Sequence, residues 1–166
     1  GHYSGDNPAA WRQFDATLPP PSKLTRGHHA SIPHDEVAPF IGKLRERQAE
    51  STAALMLEWI ALAACRTGEA RFASWSEIDL DRMLWSIPAA RMKMRRDHVV
   101  PITERMAALL HEAARRLGRD RTAEDWLFPG PREGKPLSEM AGIQQMRRMD
   151  YGQFTVHGLR ATFKGW

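Results

Sequence analysis

The sequence predicts an α+β domain, mainly α-helical, with one small three-stranded antiparallel sheet. Three observations predict it. Apolar residues recur at helical spacing in several segments, and three short apolar runs lie together mid-chain, separated by polar stretches. At 166 residues, 42% of them hydrophobic, the chain can bury one real core but not two full domains.

Residues 1–33 are rich in Pro, Gly, Ser and His, and the run Pro19-Pro20-Pro21 cannot be helical. This stretch reads as an extended linker or arm with one anchoring pair, Trp11 and Phe14, and the domain proper is expected over 34–166. A first helix is expected from Ser31 to Gln48, where Val37, Phe40, Ile41 and Leu44 repeat behind the acidic pair Asp35-Glu36, with Pro39 near its start. A second opens at Ser51 and runs through Leu55, Leu57, Trp59, Ile60 and Leu62 to about Cys65; apolar on nearly every face, it is expected to be central. Ile78-Asp79-Leu80, Leu84 to Ile87 and His98 to Ile102 are the expected strands. Helical spacing returns from Thr103 to Leu117 and stops at Gly118. Trp126-Leu127-Phe128-Pro129-Gly130 reads as a buried turn, Ser138 as the cap of a helix reaching about Met149, and Thr155 or His157 as the start of a last helix. Trp59, Trp75, Trp85 and Trp126 each lie in an apolar segment and are expected in the core rather than as platforms for stacked bases.

Lys and Arg number 24 against 20 Asp and Glu, a net charge of +4, which favours a polyanionic partner without identifying one. The one cysteine, Cys65, excludes an internal disulfide framework and argues against a Cys-based zinc site, and it fits a reducing cytoplasm. No stretch approaches the ~18 apolar residues of a membrane helix and no signal-peptide pattern opens the chain, so a soluble, cytoplasmic protein with no membrane partner is expected. His28-His29 and His34 lack a carboxylate or cysteine at ligand spacing, so no metal is expected.

Three basic elements stand at junctions between elements, where sites tend to be built. Arg66 opens Arg66-Thr67-Gly68-Glu69 after the apolar helix, and Lys93 lies between two strands in Arg91-Met92-Lys93-Met94-Arg95-Arg96. His157 and Arg160 are three residues apart, so on a helix they share a face near its N-terminus, where free amides and the dipole favour an anion. Each has a plainer reading by itself: Arg66 as a solvated C-terminal cation, His157 as a capping or surface histidine, Lys93 as one charge of a solvated basic loop. Arg147-Arg148 reads as an exposed helix face. Two arginines and a lysine converging on one point suit a phosphate whose charge grows in a pentacoordinate transition state. Within the basic loop, Arg91, Arg95 and Arg96 are expected to be ordinary phosphate contacts.

These boxes, in this order, with Trp75-Ser76-Glu77-Ile78-Asp79 and His98-Val99-Val100-Pro101 between them, resemble the tyrosine recombinases, and within that family the integrases of prophages and genomic islands. The likeness covers nearly the whole chain. It implies the catalytic-domain fold of that family and DNA strand cleavage and rejoining through a 3′-phosphotyrosyl intermediate, without ATP, cofactor or metal. By this resemblance Arg66 and Arg160 hold the nonbridging oxygens of the scissile phosphate, Lys93 protonates the departing 5′ oxygen, His157 assists proton transfer, and Glu69 orients the basic groups from behind. The implied partner is double-stranded DNA at attachment sites, with self-association as a tetramer on that DNA.

In the family a further His or Trp, then the attacking Tyr, follow the second box. Trp166 stands too close to Arg160 to be the former, and neither Tyr3 nor Tyr151 is placed to be the latter. Asn7-Pro8 resembles the linker that follows the family's helical core-binding domain. The expectation is therefore a piece of a longer recombinase, inactive by itself, with 1–33 the arm and 34–166 the truncated catalytic domain. Two rivals stay open: a type IB topoisomerase-like enzyme, against which the Arg91 to Pro101 hairpin and Asn7-Pro8 weigh, and a non-catalytic DNA-binding remnant. The expected arrangement is Arg66, Arg160 and His157 in one basic pocket, Glu69 behind them and Lys93 on a displaceable hairpin.

Overall fold

A computed structural model of the chain describes residues 30–92 and 94–164, positions 163 and 164 by their backbone alone. Tyr3, the Trp11 and Phe14 anchor, His28-His29, Lys93 and Trp166 thus lie outside the described residues, as does most of the expected arm.

Helix α1 spans His34–Arg47, with Asp35 and Glu36 in its first turn and Arg45 and Arg47 in its last, each charge favourably placed on the helix dipole. It buries Val37, Phe40 and Leu44. Helix α2, Thr52–Ala63, is capped by the Ser51 hydroxyl, which accepts the Ala54 amide at 3.3 Å. It ends where Ala64 turns left-handed at φ 46°. Every residue from Ala53 to Ala61 is buried, including Glu58, because α1, α4, α5 and α6 all lean on this helix.

A five-residue helix α3, Thr67–Arg71, follows at once, then a 3₁₀ turn at Trp75–Glu77 and the sheet: β1 Ile78–Asp79, β2 Leu84–Ile87, β3 His98–Pro101. The order is β1-β2-β3, all antiparallel, with Trp85 opposite Ile78 on one side and Val100 on the other. Helices α4, Glu104–Arg116, α5, Ala141–Arg148, and α6, Val156–Lys164, complete the domain. This is the mainly helical α+β architecture expected, and each strand lies within its predicted run.

Sheet and helices meet at Trp59, whose ring stands edge-on to Trp85 at 5.2 Å and to Phe128 at 6.0 Å, all three fully buried. Such T-shaped contacts add about 1 kcal/mol each to the burial itself. A second tie is ionic. The Glu58 carboxylate accepts from Arg45 at 3.0 Å, from Arg105 at 2.9 and 2.7 Å, and from Gln48. It thereby joins α2 to the turns of α1 and α4. Burial alone would push this carboxyl up; the hydrogen bonds of Arg105, Gln48 and Arg45 and the Arg105 charge outweigh it and hold the group below the ordinary carboxylate range.

Helix α6 rests on the segment that leads into α1. The Thr155 amide donates to the Ala30 carbonyl at 3.1 Å, and the Thr162 hydroxyl donates to the Ile32 carbonyl at 3.1 Å. Between them Gly158 lets the backbones touch, since a Cβ there would stand 2.1 Å from the Ala30 oxygen.

Two local expectations are corrected. Ser138 does not cap α5: its carbonyl closes a turn with the Ala141 amide at 3.1 Å, and the helix begins only after it. Trp126 is half-exposed, because its indole N–H finds its acceptor on the surface at Gly134, 3.1 Å away, while Leu127 and Phe128 fill the core. Among the described residues no helix is long and apolar enough to cross a membrane.

Candidate active site

Arg66 is the cap residue of α3, extended at φ −79° and ψ 152°. Three residues on, Glu69 turns back and holds it twice: one carboxylate oxygen accepts the Arg66 amide at 2.7 Å, the other accepts the guanidinium Nη1 at 2.6 Å. The carboxylate is 5% exposed and the arginine 38%, so the anchor is inside and the guanidinium faces out.

Burial raises the Glu69 carboxyl, but the two Arg66 hydrogen bonds and then the charges of Arg66 and Arg160 outweigh it, leaving the group ionised below the ordinary range. Arg160, half-buried on α6, therefore acts on the same carboxylate as Arg66 although it comes from a distant part of the chain. Buried Cys65 is pushed up to about 12 by desolvation, with the Glu69 charge adding and the Arg160 and Arg91 charges opposing. It stays a thiol and offers no nucleophile.

Beside Arg66 opens a cleft of about 470 Å³ lined by Arg66, Gly68, Glu69, Phe72, Arg91 and Met92. Arg91 ends a 3₁₀ turn at Ala89–Arg91. Its side chain turns inward: its Nη2 donates to the Glu77 carboxylate at 2.6 Å and to the Glu69 main-chain carbonyl at 3.4 Å. The reason is the half-buried carboxylate of Glu77, whose same oxygen takes the Trp85 indole N–H at 2.9 Å and draws the guanidinium in. Burial raises the Glu77 carboxyl, and the Trp85 bond and the Arg91 charge offset this only in part. Arg95 and Arg96 are exposed, in a connection whose base is closed by the Ala89 amide donating to Asp97 at 2.7 Å.

His157 is exposed in the first turn of α6, next to Gly158, whose amide donates to the Thr155 hydroxyl at 2.9 Å. The structure thus brings Arg66, Glu69, Arg91 and Arg160 into one neighbourhood. Neither Arg160 nor His157 lines the cleft itself. Tyr151 is buried, edge-on to Phe40 at 5.0 Å and 6.0 Å from Phe154, on the α1 side of the core. Arg147 and Arg148 are exposed in the last turn of α5. Sequence reasoning gave no role to Glu77; the one signal was a carboxylate at the foot of a strand, between Trp75 and Ile78.

Residues 30–166 match the family model described as the phage integrase family. The chain is 36% identical over 138 residues to prophage integrase IntZ of Escherichia coli K12, covering 82% of this chain and 33% of that protein. It is 29% identical over 154 residues to the integrase of Enterobacteria phage P4, covering 83% and 34%. The chain spans about a third of the length of these curated relatives. In fold it is similar to XerA recombinase, with a TM-score of 0.62 at 20% identity over 90% of this chain and 51% of that one. It is also similar to the Tn1549 transposon integrase in complex with circular intermediate DNA, with a TM-score of 0.58 at 11% identity over 80% and 50%.

Proposed function

From the premise that the chain belongs to the phage integrase family, we propose that residues 34–166 are the phosphate-activating part of a site-specific DNA recombinase, with 1–33 as an arm leading into it. The observation that carries this reading is one buried carboxylate, Glu69, under the influence of two arginines from the two separate boxes. One carboxylate balances only one of the two positive charges, and a phosphodiester balances the other.

In the reaction, a tyrosine oxygen attacks phosphorus and the 5′ oxygen leaves. Arg66 and Arg160 hold the nonbridging oxygens, where charge builds. Lys93 gives the proton to the departing oxygen, and His157 assists the proton moving from the nucleophile. Glu69 holds Arg66 at backbone and side chain together. The bond energy stays in the phosphotyrosine, so rejoining needs no ATP. The partner is duplex DNA at attachment sites, recombined within a tetramer.

The test is binding and trapping. The chain should bind a DNA duplex, with Arg66→Ala and Arg160→Ala each weakening it and lowering the salt slope by about 0.9 for each phosphate no longer neutralised; two variants indistinguishable from wild type would sink the assignment. A suicide substrate nicked near the crossover point should give no covalent adduct on Tyr151, and an adduct there would contradict its burial. In a recombination-competent protein carrying this domain, Lys93→Ala should slow cleavage of a 5′-oxygen leaving group and be rescued by a 5′-thio one.

A further inference from the structure

Arg91 is half-buried, its side chain 22% exposed against 38% for Arg66, and both line the same cleft. Its Nη2 ties three elements together: the Glu77 carboxylate at the foot of β1, the Glu69 carbonyl in α3, and the end of the turn that follows β2. Glu77 in turn is fixed by the indole of Trp85, which is wholly buried against Trp59. The remaining donors of Arg91, Nε and Nη1, are buried and meet no acceptor among the described residues. Buried donors left unmet on a cation are costly, and an apolar side chain of similar length would fill this space without them. Stability alone does not explain an arginine at this position.

We propose that Arg91 is a positioning residue. Braced on Glu77, it clamps α3 to the sheet through the Glu69 carbonyl, and so holds in place the carboxylate that aims Arg66. It also fixes the backbone immediately before Met92, where the connection carrying Lys93 begins. The proposal rests on the reading of Arg66 as a phosphate ligand and replaces the expectation that Arg91 grips phosphate itself.

The experiment uses the chain and a fluorescein-labelled DNA duplex, read by anisotropy over a salt series, with thermal melts alongside. Arg91→Met should weaken binding about tenfold with the salt slope unchanged, and by less than about twofold when Arg66 is already alanine, because a residue acting through Arg66 has nothing left to position. A slope reduced by about 0.9, with the full loss persisting in the Arg66→Ala background, identifies a direct phosphate contact and overturns the proposal. Glu77→Gln carries the test where Arg91→Met fails to fold. It removes a negative charge, so charge alone predicts tighter DNA binding; positioning predicts weaker binding, and a gain in affinity overturns it. If Arg66→Ala itself leaves affinity and slope unchanged, the phosphate reading fails and takes this proposal with it, an outcome separate from the two above.

Discussion

Glu58 and Glu69 are both helix-borne carboxylates, 0% and 5% exposed, and both are held by arginine. Around Glu58 the donors come from two other helices and the turn after α1, and they close over it. Around Glu69 the donor is a residue of the same short turn, and its guanidinium continues outward into a cleft. The same pair of functional groups thus makes a rivet in one place and a holder in the other. What distinguishes them is the source of the donors, three side chains of other elements at Glu58 and one from its own turn at Glu69, whose arginine lines a cleft. A buried ion pair is weak evidence of stability by itself, but breaking one leaves uncompensated charge; that cost belongs to Glu58, whereas the cost of losing Glu69 should appear in ligand binding.

The largest expected effect is therefore at the rivet. Glu58→Ala should cost about 3 to 5 kcal/mol in urea unfolding, with DNA affinity per folded molecule unchanged. Because the Glu58 carboxyl titrates below its unfolded value, its stabilisation is present at neutral pH and is lost as the pH falls through that depressed value. Acid unfolding of wild type should accordingly be steeper than that of Glu58→Gln. Next, Glu69→Ala should cost less stability than Glu58→Ala, about 1 to 2 kcal/mol, while weakening DNA binding in spite of removing a negative charge. If Glu69→Ala proves the more destabilising and leaves binding intact, the distinction between the two regions is wrong. Arg66→Ala sharpens it further: a melting temperature close to wild type with about tenfold weaker DNA binding is the signature of a partner that faces out.

The smallest effect is at Glu77. Its folded carboxyl lies above the ordinary value, so the charged form is disfavoured by folding, the reverse of Glu58. Glu77→Gln should leave neutral-pH stability unchanged or raise it by about 0.5 kcal/mol, measured by thermal unfolding, even as DNA binding falls. A clear loss of stability would make the Glu77–Arg91 pair a second rivet.

The elements with a period were legible. Val37, Phe40 and Leu44 in α1, and Met106, Leu109 and Leu110 in α4, mark one helix face each, and the strands announce themselves as apolar runs between polar ones. Helix α3 was not, because five residues are too few for a period to show, and its defining feature is a hydrogen bond from the Arg66 amide to the carboxylate three residues ahead. Ser138 has the residue type of a cap, but type shows only a capacity, and here the backbone closes a turn before the helix can start. Arg66, Glu69 and Arg160, which the fold brings into one neighbourhood, stand in sequence boxes that were legible. The bond between Arg91 and Glu77 was not: 14 residues and two strands separate them, and no spacing rule connects a 3₁₀ turn to the foot of a neighbouring strand.

The seat of α6 on residues 30–32 has a consequence for the order in which the domain is built. The Thr162 to Ile32 bond joins partners 130 residues apart. Closing a loop of that length costs about 4 kcal/mol of chain entropy, which no local contact repays. Helix α6 thus docks late, onto a surface that α1 and α2 must already have made, and it carries Arg160 with it. Until then Glu69 has Arg66 over it but not Arg160. The convergence of Arg66 and Arg160 on Glu69 thus belongs to the finished fold alone.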